Sequence, residues 1–262
     1  MGQTTADICQ YLDSFAPRTL GEDWDNIGFL VGDREQPAAV VMTCLTITPE
    51  VVEEAIKEQV QLIVSHHPLP FKGLKRITTD TPQGHMLLNI IRNGICIYSP
   101  HSAFDSTAGG INAQLAAIME LSEVGVLCPS LENPQVGAGR YGKSRPTSLA
   151  ELATQLKHSL RATSIGYVGA AEQAVDKVGI ACGSAGEFLG AASAKGCNTF
   201  VTGETSFHTC LAAKATGVGL ILLGHFASER FAVETLAAKL QKEFANLRIF
   251  ASQQDTDPIT RV

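Results

Sequence analysis

No apolar run in this chain approaches the about 18 residues needed to cross a bilayer. The longest, Val218 to Leu223, has the length of a buried strand. The N-terminus, MGQTTADICQYLDSF, lacks the basic and apolar regions of a signal peptide. Ala6 stands where a myristoylation signal on Gly2 asks for Ser or Thr. These absences make a cytoplasmic chain with no membrane partner the expectation. Positive charge is also scarce: the formal net charge is −6, and the densest basic stretch, FKGLKR at 71–76, holds three cations. Binding to nucleic acid through phosphate neutralisation is therefore not expected, although a small pocket for a nucleotide stays open. Cysteine is present without pattern. Cys9, Cys44, Cys96, Cys128, Cys182, Cys197 and Cys210 are odd in number, widely spread and never paired as CxxC. That spacing excludes a zinc ribbon or a disulfide framework, and contexts such as GICIY and GIACG read as buried free thiols.

What is present is an ordinary globular composition, 45% hydrophobic and 18% charged, over 262 residues, enough for one large or two small domains. Ile8, Leu12 and Phe15 share a helical face that Pro17 ends. AAVVMTCLTI (38–47) reads as a buried strand, and Thr48 caps a helix with Pro49 in its first turn. The strand QLIVS (61–65), a polar loop, a helix from Pro82 to Arg92, the strand ICIYS (95–99) and a helix over 110–120 continue the alternation. Such alternation predicts α/β layers with largely parallel pairing. The middle differs: VGAGRYGK (136–143) is glycine-rich and β-like, a helix capped near Ser148 follows, and then come the short strands SIGYVG and KVGIAC. The last third offers helices near 186–195 and 228–244, with strands NTFVT, GLILLG and NLRIFAS. The expected class is α/β, two α/β lobes with mixed sheets, the second inserted in the first. Residues 1–125 with 220–262 form the lobe that carries the site, and 126–219 form the smaller one.

Histidines and carboxylates recur where strands end, which is where open α/β sheets place their sites. His66 and His67 follow an apolar strand, and Pro68 then breaks regular structure. Adjacent residues there can face different ways and serve one metal each; loop histidines bonded to backbone are the equal alternative. His101 and Asp105, in YSPHSAFD, repeat the pattern. Asp105 offers a hard oxygen, and His101 either a ligand or a donor behind the ligands. The bland reading is a turn-capping Asp. In GHFASE, His225 and Glu229 are four apart and share a face if a helix begins there; a Glu favoured by the helix dipole explains the same residue. Each motif has a structural explanation, and their recurrence at three strand ends is the signal. His85 and His158 sit among polar residues on predicted helices and read as exposed. GSAGEF (183–188) lacks full phosphate-loop spacing and reads as a tight turn.

The segments WDNIGFLVGD (24–33), SHHPLPFKGLK (65–75), YSPHSAFDSTAGGINAQLA (98–116), TGETSFH (202–208) and GHFASER (224–230) resemble, in order, the signatures of the Nif-three-like family. Its members are often labelled GTP cyclohydrolase 1 type 2 homologues. The resemblance implies that His66, His67, Asp105, His225 and Glu229 hold two divalent metal ions per subunit, with Glu229 as the bridging ligand. It also implies a homohexameric ring, a trimer of dimers with sites facing an internal cavity, without the extra domain that some relatives insert. Many relatives have a second His or acidic group near TGETSFH. Here Phe207 precedes His208, which leaves His208 an outer role. The resemblance places Trp24, Asp25 and Asn26 at a turn before the first strand. There Trp24 reads as a core plug and its neighbours as turn formers, in preference to a catalytic role.

Imidazole and carboxylate together suit zinc, iron or manganese. The expected function is a dinuclear metal-dependent hydrolase acting on a small molecule, with a nucleotide among the options. The family label adds metal-hydroxide attack on C8 of the guanine ring of GTP with loss of formate, His101 being the proton donor. The FKGLKR loop is a candidate phosphate contact. A phosphoesterase fits the same residues. The alternative class is a non-catalytic metal-binding ring protein that regulates or binds partners.

Overall fold

The computed structural model describes residues 2–261. In chain order the elements are α1 (Thr5–Phe15), β1 (Gly28–Val31), β2 (Val40–Cys44), α2 (Pro49–Lys57), β3 (Leu62–Ser65), α3 (Pro82–Arg92), β4 (Cys96–Ser99), α4 (His101–Ser106) and α5 (Ile111–Ile118). There follow β5 (Ser122–Pro129), β6 (Gly137–Ser148), α6 (Leu149–Ser159), β7 (Gly166–Val168), β8 (Ala174–Ser184), α7 (Leu189–Ala194) and β9 (Thr199–Glu204). The chain ends with α8 (Phe207–Thr216), β10 (Gly219–Leu222), α9 (His225–Glu243) and β11 (Arg248–Ala251). It divides into two compact units. The first runs to Phe104 and resumes at Ala232–Thr256; the second is Asp105–Phe231 with the segment from Asp257. The class is the mixed α/β one expected from the sequence.

The first unit holds a five-stranded sheet in the order β1-β4-β3-β2-β11. Its three pairings from β4 to β11 are parallel, and β1 runs antiparallel along β4. Every residue of β3 and β4 is buried, as expected of central strands covered on both faces. Ile63, Ile97 and Met42 meet Val51, Leu87 and Ile90 in one core. Each such side chain contributes roughly 1.5–3 kcal/mol by leaving water. Helix α2 starts where the sequence says it should: the Thr48 hydroxyl accepts from the Val51 amide, and Pro49 fills the first turn. Because β2, β3 and β4 are parallel, their carboxyl ends, Cys44, Ser65 and Ser99, lie along one edge. His66, His67 and His101 emerge from that edge.

The second unit holds a six-stranded mixed sheet in the order β5-β6-β8-β9-β10-β7. Here β8, β9 and β10 are parallel and the outer pairings antiparallel. Phe200, Leu220 and Ala192 centre its core. The Ser148 hydroxyl and the Glu151 carboxylate cap α6 reciprocally. The parallel strands again present carboxyl ends together, and α9 starts at His225, three residues beyond β10. No helix among the described residues is long and apolar enough to cross a membrane.

Candidate metal centre

In the first unit, the chain is pinned as it leaves β3. The His66 amide donates to the Cys44 carbonyl at 2.9 Å and the His67 amide to the Leu45 carbonyl at 2.8 Å, extending the parallel ladder two residues past the strand. The Ser99 hydroxyl donates to the His66 carbonyl at 2.6 Å, and the Ser65 hydroxyl to the His67 carbonyl at 2.8 Å. His67 Nδ1 meets the Thr46 hydroxyl at 2.7 Å, which fixes the ring and leaves Nε2 for another partner. His101 joins the pair. The ring centroids of His66, His67 and His101 lie 5.0–5.5 Å apart. One nitrogen from each ring lies within 4.8 Å of the others, close enough for a single metal ion.

His101 is held by a group that the sequence reading undervalued. Its backbone is in the left-handed region at φ 25°, costly for a residue with a Cβ and kept only where the surroundings impose it. Asp25 imposes it. His101 Nδ1 is 2.7 Å from Asp25 Oδ1, and the Ser102 amide and hydroxyl both donate to Oδ2. A carboxylate only accepts, so Nδ1 carries the proton. Burial pushes the Asp25 carboxyl up, but the hydrogen bonds from His101 and Ser102 outweigh it and hold the group below the ordinary carboxylate value. Asp25 is thus more than a turn former. Trp24 is no core plug either: it is 62% exposed, with its ring 5.9 Å from that of His101. The signal that could have found Asp25 was its place in a WDN motif whose turn needed only one of its two polar residues.

In the second unit, His225 and Glu229 lie on the first turns of α9. His225 Nε2 is 3.2 Å from Glu229 Oε2, and Nδ1 is 2.9 Å from Glu204 Oε1. Glu204, at the end of β9, belongs to the TGETSFH segment and orients His225 from behind. The hydrogen bond to Glu229 outweighs burial and, with help from Glu204, pushes the His225 pKa up to about 9. A divalent cation would take the place of the Nε2 proton between imidazole and carboxylate, so this donor pair fits a metal. Gly183 makes room for it. At φ +67° it lies so close to Glu229 that an added Cβ would stand 2.3 Å from Oε1.

Asp105 is held at two atoms in the same unit. The Cys182 thiol donates to its Oδ1 at 3.2 Å, and Asn112 Nδ2 donates to its carbonyl at 3.1 Å. The same Asn112 accepts from the Cys182 amide. Burial and the charges of Asp105 and Glu229 push the Cys182 thiol well above its ordinary value, so it stays a neutral donor. Arg140, buried, donates to the carbonyls of Ser106 and Thr107 just beyond Asp105, at 3.1 and 2.8 Å. His208 is exposed on α8 beside Phe207, and His85 and His158 are exposed as expected. The FKGLKR loop is exposed throughout, and GSAGEF forms a turn with a short 3-10 helix at Gly186–Phe188.

Fold and site define a two-unit α/β protein with histidines and carboxylates, side chains able to hold a metal ion, at the carboxyl ends of parallel strands. The sequence model of Duf34/NIF3 (NGG1p interacting factor 3) matches residues 3–258, and the chain belongs to that family. Over 98% of both chains it is 33% identical to a GTP cyclohydrolase 1 type 2 homolog of Clostridium acetobutylicum. It is also 33% identical to the protein NIF3 homolog of Schizosaccharomyces pombe, over 98% of this chain and 97% of that one. The crystal structure of Staphylococcus aureus protein SA1388 superposes with a TM-score of 0.91 at 27% identity, covering 99% of each chain.

Proposed function

We propose that His66, His67, Asp105, His225 and Glu229 are the ligands of two divalent metal ions, zinc, iron or manganese, and that the protein is a metal-dependent hydrolase of a small molecule. The observation that carries the enzyme reading is the Asp25–His101 pair. A protein that only stores or senses metal has no need of a histidine strained into place and oriented by a buried carboxylate beside two ligand histidines. Metal ions bound here would supply an activated water and a clamp for negative charge developing on the substrate. His101, with Nδ1 committed to Asp25, leaves Nε2 as the atom through which a proton passes to the leaving atom. Ser102 keeps Asp25 ionised and the imidazole oriented, and Nε2 regains its proton from the water split in each turnover. Glu204 keeps His225 turned with Nε2 toward Glu229. The name carried by several relatives makes hydrolytic opening of the guanine imidazole ring in GTP the first reaction to assay, with phosphate monoesters as the second.

The test separates ligands from proton carrier. Metal analysis of the purified protein should find two ions per chain, and Glu229→Ala should lose metal and turnover together. His101→Asn should keep the metal and lose turnover by about 10²–10⁴-fold, the usual contribution of a positioned acid or base. Full turnover in either variant would defeat the assignment. Two firmly bound ions with no turnover of either substrate class would favour the non-catalytic ring protein.

A further inference from the structure

Trp24, the chain's single tryptophan, is 62% exposed, yet the residues on both sides of it are anchored. The Glu22 amide donates to the Ser102 hydroxyl at 3.0 Å, the Asp25 carboxylate is bound by His101 and Ser102, and Asn26 Nδ2 donates to the Pro70 carbonyl at 2.6 Å. The last bond fixes the start of the FKGLKR loop, where Phe71 stands 6.0 Å from the Trp24 ring at an interplanar angle of 40°. Phe71 is itself 6.0 Å from the ring of His101. Two large, exposed aromatic rings thus stand on an anchored backbone beside His101. It is the contiguity of the two exposed rings that marks a binding surface, and an anchored backbone lowers the ordering cost of using it. Charge says what kind of ligand. Lys72, Lys75 and Arg76 follow Phe71 with no acidic residue before Asp80, in a chain whose net charge is −6.

We infer that Trp24 and Phe71 form a stacking platform for a flat heteroaromatic ring that carries an anionic tail, the tail lying along Lys72, Lys75 and Arg76. The ring stacks on the open face of Trp24, which brings its edge to His101. Neither residue is a metal ligand, and the platform binds whether or not metal is present. The choice of guanine as the ring rests on the hydrolase reading above.

Because Trp24 is the only tryptophan, its fluorescence reports the platform directly. Guanosine monophosphate should quench it saturably, guanosine should quench it at higher concentration, and ribose 5-phosphate should leave it unchanged. Phe71→Ala should weaken guanosine monophosphate binding roughly ten-fold, within the range for loss of one stacking partner. The combined substitution Lys72→Gln, Lys75→Gln, Arg76→Gln should bring guanosine monophosphate down to the affinity of guanosine and leave guanosine itself unaffected. Quenching that persists after chelation, with no hydrolysis in the metal-loaded protein, would sink the hydrolase reading and uphold the platform. Hydrolysis of phosphate esters without any quenching by guanosine monophosphate would do the reverse. A blue-shifted Trp24 emission that moves red on dilution and ignores the nucleotide would show that a second copy of the chain covers the ring, and would also overturn the inference.

Discussion

Asp25 shows how one carboxylate can govern a site without touching a metal. Its side chain is shielded from solvent, and its two oxygens accept from His101 and from two groups of Ser102. Its pKa in the folded chain lies below the ordinary value. The stability this lends is therefore present above that ordinary value and is lost as pH falls through the folded pKa. Asp25→Asn removes that dependence and leaves the His101 and Ser102 donors poorly matched, at a cost of about 1–3 kcal/mol at neutral pH. Thermal melts between pH 3 and 7 should show the parent losing stability on acidification more steeply than the variant. Parallel curves would mean that the carboxylate is not held as described. The sequence displayed Asp25 in a motif, but a turn former and a histidine orienter look alike until the fold brings residue 101 back to residue 25.

At the scale of elements, the termini of helices and strands do the positioning. Gly183 lies at the end of β8, where its lack of a Cβ lets the Glu229 carboxylate approach the backbone. Gly196 has the same left-handed backbone, φ +77°, with nothing near its missing Cβ. Gly183→Ala and Gly196→Ala should thus each cost on the order of 1 kcal/mol from backbone strain. Only Gly183→Ala should displace Glu229 and lower metal content, as read by metal analysis of both variants. Equal metal content would break the link between the glycine and the carboxylate. Much of this level was legible beforehand. Thr48 and Ser148 announced their helices through capping chemistry, and the apolar runs of β3 and β10 announced buried strands. The first turn of α9 was legible only conditionally, because GHFASE carries no cap residue ahead of His225. The edge strand β1 was placed only through the family resemblance. The antiparallel β5 was missed, because its residues Ser122–Gly125 carry no apolar alternation and pairing with β6 alone makes them a strand.

At the scale of the whole molecule, the resemblance adds a homohexamer, a trimer of dimers, to what one chain displays. Light scattering of the purified protein should then give six times the 27.8 kDa of a single chain. A monomer at micromolar concentration would remove that expectation without touching the site. The ligand set makes a more searching demand. His66 and His67 come from the first unit, and Asp105, His225 and Glu229 from the second, yet they are proposed to serve the same two ions. Metal bound at about 1,000 times its dissociation constant stabilises the native chain by roughly 4 kcal/mol. At about 2–4 °C per kcal/mol for a chain approaching this size, chelation should lower the melting temperature by roughly 10 °C. His66→Ala and Glu229→Ala should each melt at the lower temperature and show no further response to chelator. If one of them still responds as the parent does, the five residues are not a shared set, and the site divides into two independent ones.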